Sequence, residues 1–395
     1  MLDLLILKWN IRWQVGWAGN DPRWWYTWGM EFDLRIEIGH ESTCLAVRPG
    51  IIYEVGRLLR ALMTDDPAPV ALVVTDGHVG PLYGTAVLTS LSRAGFPAFE
   101  HRIEPGERSK CLAVLDEVYR SLLDASAGRD AVVVALGGGV VSDLAGFAAA
   151  TWMRGVRFVI CPTTLEADVD ASIGGKTAVN LPGGKNLVGA FHQPILVAID
   201  PECLRTLDPR DVRAGMAESI KHALISAEAF LAWHEQRAEQ ILSLDDAVMS
   251  ELILRNLRIK AEVVHADAQE RIGLRMRLNF GHTLGHAIEA CSGFALRHGE
   301  CVALGMLAAC RLSRMMGLLE ASVEARVKRL LERIELPTRL TPPIDPDVVL
   351  ATIRGDKKAR GGQVQFVLLE GVGRPAVRAD VPERVVREAY ESLYR

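Results

Sequence analysis

Three histidines and one glutamate have the types and spacing of a metal site. His282 and His286 in GHTLGH are four residues apart, so on a helix they would share one face, and His298 follows in LRHGE. Together with Glu218, two imidazoles would complete a common catalytic zinc set that leaves positions open for water or substrate. A spaced histidine pair alone is equally typical of a partly buried surface. Three of the ten histidines within 17 residues, with glycines beside two of them, favour the metal site.

Two lysines lie in glycine-rich segments that we predict to be loops. Lys176 stands in IGGKTAVN and Lys185 in PGGKNLVG, with Asn180 and Asn186 close by. Further cations stand near the candidate site segments: Arg154, Lys221, Lys260, Arg275, Lys357 and Lys358. Such a collection suits a small substrate with a phosphate and a carboxylate, since each anion takes charge-assisted hydrogen bonds from several donors. Any single cation could instead be a solvated surface residue, but for the two loop lysines we favour the functional interpretation.

A run of three glycines, residues 137–139, follows the apolar stretch AVVVAL and precedes a helical pattern. Such a turn lets a pyrophosphate approach the free N–H groups of a helix N-terminus. Ser142 replaces the third glycine of the dinucleotide fingerprint, so a plain tight turn remains the alternative. Asp76, at the end of PVALVVTD, could bind a ribose diol or cap a turn. Thr163 and Thr164, which follow RFVICP, could likewise bind the cofactor or cap a turn.

The elements that must position these residues alternate between β-rich runs and helical stretches as far as about residue 205. AVVVAL is typical of a parallel strand buried on both faces. From LDPRDVRAGMAESIKHALI onward nearly every segment is helical, with Asp208 and Pro209 in the pattern of a helix start. We therefore predict an α/β fold: an N-terminal doubly wound, Rossmann-like nucleotide-binding domain (30–205) and a C-terminal, mainly helical metal and substrate domain (206–395). The site should lie between the two domains.

The bulk properties exclude several classes of protein. A chain of 395 residues exceeds the size of a single hydrophobic core, which favours two domains. The net charge of -4 argues against a nucleic-acid surface, and no apolar run approaches the roughly 20 residues of a membrane span. Seven scattered cysteines without a CxxC pair are typical of reduced thiols, so we expect a cytoplasmic protein with neither nucleic-acid nor membrane partner.

Residues 1–29 differ from the rest of the chain, because six of the eight tryptophans lie there. The opening LDLLIL is too short for the apolar core of a signal peptide and has no basic stretch before it. Trp9, Trp13 and Trp17 would fit one face of a membrane-surface helix. We favour instead an atypical extension from an upstream start codon, with Met30 as the natural start.

The longer motifs together resemble the 3-dehydroquinate synthases of the sugar-phosphate cyclase family. The match runs from about residue 35 to the end and is densest in GGGVVSDLAGFAAATWMRGVRF, PTTLEADVDASIGGKTAVNLPGGKNLVGAFHQP, LRTLDPRDVRAGMAESIKHALI and LNFGHTLGHAIEA. The resemblance implies NAD and a divalent metal, usually zinc with cobalt possible. It also implies a homodimer in which Arg154 reaches the site of the neighbouring subunit.

In that family the activity is the conversion of 3-deoxy-arabino-heptulosonate 7-phosphate to 3-dehydroquinate and phosphate, in the shikimate pathway of aromatic amino-acid biosynthesis. The C5 hydroxyl is oxidised by NAD, phosphate leaves by elimination, and the hydride returns. Ring opening and an intramolecular aldol closure follow. The implied class is therefore a carbon–oxygen lyase, although the first step is a dehydrogenation.

The resemblance assigns roles residue by residue. The implied metal ligands are Glu218, His282 and His298, which moves His286 to a catalytic or phosphate-side role. The implied NAD contacts are Asp76, Glu107, Lys110, Gly138, Gly139, Asp143, Thr163, Thr164, Lys176, Lys185 and Thr206. The implied catalytic and substrate residues are Asp170, Lys176, Lys185, Asn186, Lys221, Lys260, Arg275, Asn279, His286, Lys357 and Arg154. Among these, Asp170 and Lys176 would serve the C4 hydroxyl and its proton, Asn186, Asn279 and Lys357 the phosphate, and Arg275 and Lys260 the carboxylate.

Two positions depart from the family pattern. Ser142 replaces a glycine, and Glu166 occupies a place that is usually apolar. A carboxylate beside the pyrophosphate would repel it, so we expect Glu166 to point away from the nucleotide.

Three rival interpretations remain. A metal-dependent alcohol or glycerol dehydrogenase would share the fold and NAD but would have no use for the two lysine segments. Another sugar-phosphate cyclase would share every NAD and metal motif, although Arg275 and Lys260 favour a substrate with an acid group. A non-catalytic scaffold with a decayed site is disfavoured by the retained metal triad and lysines.

Overall fold

The computed structural model describes residues 32–38, 41–267, 273–293, 295–359 and 364–394, with the side chains of 356–359 excepted. The tryptophan-rich extension and the side chain of Lys357 therefore lie outside the described residues. Within the described ranges, no helix combines the length and apolar character needed to cross a membrane.

Seven strands form the main sheet. The strands of the chain are β1 (Leu34–Ile38), β2 (Glu41–Val47), β3 (Ala71–Asp76), β4 (Ala98–Ile103), β5 (Val132–Gly137), β6 (Arg157–Pro162), β7 (Lys176–Leu181), β8 (Gly184–Phe191), β9 (Leu196–Ile199), β10 (Phe366–Leu369) and β11 (Pro375–Arg378). The main sheet has the order β1-β2-β9-β6-β5-β3-β4. Only β1 and β2 pair antiparallel within it. The strand order reverses between β3 and β5, and ligands of such sheets bind outside the carboxyl ends of the strands at this point.

Four helices cover the two faces of this sheet: α1 (Val55–Leu62), α2 (Thr85–Arg93), α3 (Leu112–Asp124) and α4 (Gly139–Thr151). Successive strand side chains point to opposite faces. Val134 belongs to a core with Leu58 of α1 and Leu91 of α2, whereas Val133 packs in the core that contains Leu115 and Leu144 of α3 and α4. The predicted doubly wound arrangement is confirmed.

The chain from residue 209 is mainly helical, as predicted. Its helices are α5 (Pro209–Ser226), α6 (Glu228–Leu242), α7 (Asp246–Ala266), α8 (His282–Cys291), α9 (His298–Met315), α10 (Ala321–Arg333), α11 (Pro346–Ala359) and α12 (Glu383–Glu391). The Asp208 carboxylate accepts a hydrogen bond from the Arg210 N–H at 2.8 Å, and Pro209 is the first helical residue, so α5 starts as its sequence indicates. The exact domain boundary stays a prediction.

Two features of the sheet region differ from the sequence interpretation. The lysine segments are not loops: β7 and β8 form an antiparallel hairpin that begins on Lys176 and carries Lys185 in its second strand. Its glycines allow close backbone approach, since a Cβ on Gly189 would lie 2.1 Å from the Thr177 carbonyl oxygen. Strand β2 also has no clear signal in the sequence, because polar residues precede its buried run.

Candidate functional site

Three helices bring the predicted metal ligands together. Glu218 lies within α5, while His282 and His298 are the first residues of α8 and α9. Glycines make this convergence possible, because a Cβ on Gly299 would lie 1.9 Å from the Ala214 carbonyl oxygen of α5. A Cβ on Gly305 would likewise lie 2.0 Å from the carbonyl oxygen of Gly281, beside the start of α8. The glycines around the histidines thus set the distances between helices.

The donor atoms have the spacing of ligands around one ion. Glu218 Oε1 lies 3.4 Å from His282 Nε2 and 3.5 Å from His298 Nε2. Two ligand atoms about 2.1 Å from a tetrahedral zinc lie about 3.4 Å apart. Glu218 is 1% exposed, and its Oε1 has no hydrogen-bond partner among the described residues. A buried carboxylate oxygen without a donor, facing two imidazole nitrogens, fits a divalent cation.

The outer nitrogens of both imidazoles are already engaged. His282 Nδ1 lies 3.1 Å from the Phe280 carbonyl oxygen, and His298 Nδ1 lies 3.1 Å from Glu289 Oε2. Both partners are acceptors, so each Nδ1 carries a proton, and Nε2 is the nitrogen of each ring that would bind a metal. Lys185 of the hairpin also reaches Glu289, at 3.3 Å.

Glu289→Gln is expected to weaken zinc affinity about 10- to 100-fold, the usual effect of losing a charged partner behind a metal-binding imidazole. Competition with a chromophoric chelator measures it. The control is Glu239→Gln, which removes an exposed ion pair with Arg333 on a remote helix and should leave zinc affinity unchanged. Equal zinc affinity in the wild type and Glu289→Gln would contradict this role.

His286 takes a different position from the other two histidines. Its ring is exposed and lies edge-on to His282, with ring centres 5.0 Å apart. The donor atoms of all three histidines lie within 4.8 Å of one another. Among the histidines, Glu218 contacts His282 and His298 in the described residues. This geometry agrees with the metal ligands that the family resemblance implies, but the assignment of these residues as ligands stays a prediction.

Lysines and a second carboxylate continue the site beyond the histidines. Buried Lys221 forms an ion pair with Glu218, and Lys260 Nζ lies 2.8 Å from Asp170 Oδ1. Burial alone would raise the pKa of Asp170, but Lys221 and Lys260 outweigh it and hold that pKa well below its ordinary value. Lys221 and His282 do the same for the pKa of Glu218. Both carboxylates are therefore ionised at neutral pH.

Arg275 lies next to this group. It is 4% exposed, its guanidinium lies 5.8 Å from the centre of the Phe191 ring at the end of the hairpin, and it approaches the backbone at Gly174. A buried guanidinium beside Lys260 and the hairpin is suitably placed for an anionic substrate group. Asn279 is exposed at the end of a short 3-10 turn that starts on Leu274.

The predicted nucleotide residues meet at the reversal of strand order. Gly138 precedes α4 with extended backbone, and a Cβ there would lie 2.9 Å from Thr164 Cγ2. Buried Thr163 has a side-chain oxygen without a partner among the described residues, which leaves it available to a ligand. Asp76 caps a turn by accepting hydrogen bonds from the His78 and Val79 N–H groups at 2.8 and 2.9 Å. A ribose contact by Asp76 stays a prediction.

Several other predicted residues form a polar network between α4 and the hairpin. Lys110 binds both Asp143 and Asn186, and Asn180 donates to Glu107 at 2.7 Å. Thr206 lies elsewhere, where its hydroxyl contacts the Tyr83 hydroxyl at 2.8 Å. Arg154 is exposed in a turn with left-handed backbone.

Glu166 lies near the predicted metal ligands. Burial raises the pKa of its carboxyl, and the charged groups that influence it most are His298, Glu218 and Asp170. The close approach of α5 explains this placement, because a Cβ on Gly215 would lie 2.8 Å from the Glu166 backbone nitrogen. The carboxylate that replaces the usual apolar residue of the family at this position therefore lies beside the predicted metal centre.

A chain of buried hydrogen bonds runs behind Asp170 and was missed by the sequence interpretation. We call it the buried relay, and its members are His222, Asn256, Ser219 and His234. All four are 0% exposed. His222 Nε2 faces Asp170 Oδ1 at 3.4 Å. Its one sequence signal was the histidine next to Lys221 in SIKHAL.

His234 makes stability depend on pH. Burial lowers its pKa to about 4, against about 6.5 when unfolded. Below pH 6.5 the unfolded chain binds a proton that the folded chain rejects, so stability is lost as pH falls from about 6.5 to about 4. The loss amounts to about 3 kcal/mol. Chemical denaturation should show a wild-type stability that falls more steeply over this range than that of His234→Gln; parallel curves would contradict it.

Two family models match the chain. A model described as 3-dehydroquinate synthase N-terminal matches residues 100–214, and one described as 3-dehydroquinate synthase C-terminal matches residues 215–359. The 3-dehydroquinate synthase of Symbiobacterium thermophilum is 46% identical over 361 residues, which cover 91% of this chain and 100% of the relative.

Solved structures with the same fold include two sugar-phosphate cyclases. A 2-deoxy-scyllo-inosose synthase complexed with carbaglucose-6-phosphate, NAD+ and Co2+ has a TM-score of 0.82 and 26% identity, and covers 91% of this chain and 99% of its own. The 2-epi-5-epi-valiolone synthase of Streptomyces hygroscopicus subsp. jinggangensis, with NAD+ and Zn2+ bound, has a TM-score of 0.80 and 29% identity, and covers 90% and 98%.

Proposed function

The chain belongs to the 3-dehydroquinate synthase family, and from that premise we propose how its site acts. The substrate is 3-deoxy-arabino-heptulosonate 7-phosphate, and the products are 3-dehydroquinate and phosphate. The enzyme is a carbon–oxygen lyase that uses NAD without net consumption and zinc as its metal. It serves aromatic amino-acid biosynthesis in the cytoplasm, which accords with seven cysteines that are all free.

The observation that carries this proposal is a group of residues with metal-ligand spacing that adjoins a group of buried cations. Glu218, His282 and His298 have ligand spacing. Buried Lys221 pairs with Glu218, and buried Lys260 pairs with Asp170. The three named residues would hold the metal, and the turn at Gly138 would hold the NAD pyrophosphate at the N-terminus of α4. When bound, the metal supplies Lewis acidity at substrate oxygens, and NAD accepts and returns a hydride.

The chain's own residues bind and orient the substrate. Arg275 is buried beside the hairpin and provides a planar donor set for a carboxylate. Lys260 is held at Asp170 by its ion pair, which stabilises the ionised form of Asp170. We assign Lys260 to the substrate carboxylate as well. Asp170 is ionised, and we assign to it the proton of the C5 hydroxyl that is oxidised, on the carbon next to the C4 hydroxyl that the resemblance implied for it. His286, Asn186, Asn279 and Lys357 are assigned to the phosphate side.

A turnover assay tests the function. Purified protein is incubated with the heptulosonate phosphate, NAD and zinc, and phosphate, 3-dehydroquinate and NADH are followed together. We expect equal amounts of phosphate and 3-dehydroquinate without NADH accumulation. Steady NADH accumulation would instead identify a dehydrogenase. Turnover of a different sugar phosphate alone would identify another cyclase.

We also propose a homodimer in which Arg154 completes the neighbouring site. Met153 and Arg154 have φ values of 50° and 71°, a left-handed backbone that costs about 1–3 kcal/mol and is commonly kept for function. Arg154 and Met153 are exposed, so this turn is available to a second copy of the chain.

Subunit mixing tests the dimer. Arg154→Ala and Glu218→Gln should each be inactive, because each lacks one part of every site. After exchange, a mixed dimer would contain one site with both Arg154 and Glu218 intact, so activity should return. If Arg154 serves its own subunit, no mixed dimer contains a complete site, and activity stays absent.

A further inference from the structure

The buried relay has a direction that two backbone carbonyl groups set. His234 Nδ1 lies 2.8 Å from the Phe230 carbonyl oxygen, so this nitrogen must carry a proton. Asn256 Nδ2 donates to the Leu252 carbonyl oxygen at 2.8 Å, which fixes which end of the amide is the nitrogen. The Phe230 and Leu252 carbonyl oxygens can only accept hydrogen bonds. They therefore fix the donor and the acceptor of every other hydrogen bond in the relay.

The protons of the relay can therefore be placed one by one. His234 is neutral because burial lowers its pKa to about 4, so its Nε2 accepts from the Ser219 hydroxyl at 2.8 Å. Ser219 in turn accepts from Asn256 Nδ2 at 2.7 Å. Asn256 Oδ1 is then an acceptor, and it takes the proton of His222 Nδ1 at 2.9 Å.

This assignment leaves one link without a proton. Burial and Lys221 lower the pKa of His222, so the neutral ring has its single proton on Nδ1 and a lone pair on Nε2. That lone pair faces the ionised Asp170 at 3.4 Å. The four hydrogen bonds to which a proton has been assigned measure 2.7–2.9 Å. The longer contact, between His222 Nε2 and Asp170 Oδ1, is the one for which no proton remains. His222 Nε2 has no hydrogen-bond partner among the described residues.

Nearby charged groups disfavour a proton between His222 Nε2 and Asp170 before the reaction. Lys221 on the same helix and Lys260 on α7 both stand close to Asp170, and they stabilise its ionised form. Lys221 also disfavours a second positive charge on the His222 ring, whereas Asp170 and Glu218 favour it. The balance holds the unprotonated His222 Nε2 beside the ionised Asp170 carboxylate, whose Oδ1 is also paired with Lys260, at the inner edge of the candidate site.

We propose that His222 is a positioning residue that, through Asp170, stores the proton released when a substrate hydroxyl is oxidised. This inference rests on the proposed function, since Asp170 receives its role there. Oxidation of the hydroxyl gives up a hydride, which leaves to the nicotinamide, and a proton, which breaks from oxygen. The proton passes to the Asp170 carboxylate and completes the link to His222 Nε2. When the hydride returns, the same proton returns to the substrate oxygen, and the relay regains its open position.

The tautomer of His222 tests the geometry without any reaction. Protein labelled with ¹⁵N at histidine reports by NMR which ring nitrogen carries the proton, and His222→Asn identifies the signal. At neutral pH we expect the wild-type ring to be neutral with its proton on Nδ1. A proton on Nε2, or on both nitrogens, would overturn the proposal.

Two variants test the consequence for turnover. In His222→Asn the amide nitrogen replaces Nδ1 and still donates to Asn256, but no acceptor faces Asp170. Asn256→Leu keeps His222 but frees its Nδ1, so the ring can move its proton to Nε2 and fill the open position. Both should lower kcat about 100-fold, the usual contribution of a proton-transfer group, with the KM for substrate and NAD affinity nearly unchanged.

Ser313→Ala is the matched control, because it removes a fully buried hydroxyl that bonds the Ala309 carbonyl oxygen and the Leu369 N–H, far from Asp170 in the fold. It should lower Tm and leave kcat unchanged. Wild-type kcat in His222→Asn would overturn the proposal while the proposed function stood. Failure of the wild type to turn over the heptulosonate phosphate would overturn the proposed function and leave the NMR result to be judged by itself.

Discussion

Glu218→Gln is expected to remove the bound metal and to lower kcat at least 1,000-fold. The substitution preserves size but replaces the carboxylate oxygen that lies 3.4 and 3.5 Å from the two imidazole nitrogens. It also removes one of the two carboxylates that compensate the buried ammonium of Lys221, the other being Asp170. Loss of Lewis acidity removes several kcal/mol of transition-state stabilisation, and each 1.4 kcal/mol is about tenfold in rate. Elemental analysis of the dialysed protein and steady-state kinetics measure both effects.

The control for this variant is Glu324→Gln, which also breaks partly buried ion pairs, here with Arg311 and Arg314 on α9. It should lower stability slightly and leave metal content and kcat at wild-type values. A Glu218→Gln protein that retains one metal per chain and wild-type turnover would refute the ligand assignment.

Gly299→Ala is expected to destabilise the protein by at least about 3 kcal/mol, beyond the usual range for a single added methyl group. The new Cβ would lie 1.9 Å from the Ala214 carbonyl oxygen, which is backbone and cannot rotate away. Helix α9 must therefore shift at its first turn, where His298 is the first residue. We expect metal affinity to fall together with Tm in thermal unfolding with and without zinc.

Gly355→Ala is the matched control. Gly355 lies within α11, and a Cβ there meets nothing within 4 Å. Because alanine has the higher helix propensity, this change should be neutral or stabilising by up to about 1 kcal/mol. If both alanine variants unfold at the wild-type temperature, the close helix contact does not limit the site.

The sequence predicted those parts of the site that lie in compact motifs. His282, His286 and His298 stand close together in the chain, and the fold brings Glu218 to them through α5. The centre of the sheet was equally accessible, because a buried parallel strand such as β5 is a continuous apolar run, whereas β2 begins with polar residues. The prediction of the lysine segments as loops was wrong, because glycines that permit close strand pairing have the same sequence pattern as glycines in turns.

The buried relay could not be predicted for a different reason. Ser219 and His222 lie on α5, His234 on α6 and Asn256 on α7, and no spacing relates residues that meet only through tertiary packing. Each alone is an ordinary polar residue in an amphipathic helix. Glu166 shows the same limit, since its proximity to His298 depends on how closely α5 approaches at Gly215.

The central claim is that NAD accepts the hydride from C5 of the substrate and transfers it back within one site. Substrate deuterated at C5 tests this claim most directly. A single turnover with unlabelled NAD should give 3-dehydroquinate that retains the deuterium at the corresponding carbon, with no deuterium left on the recovered cofactor. Mass spectrometry and NMR of the product measure this. Deuterium recovered on NADH, or lost to solvent with turnover intact, would contradict the account.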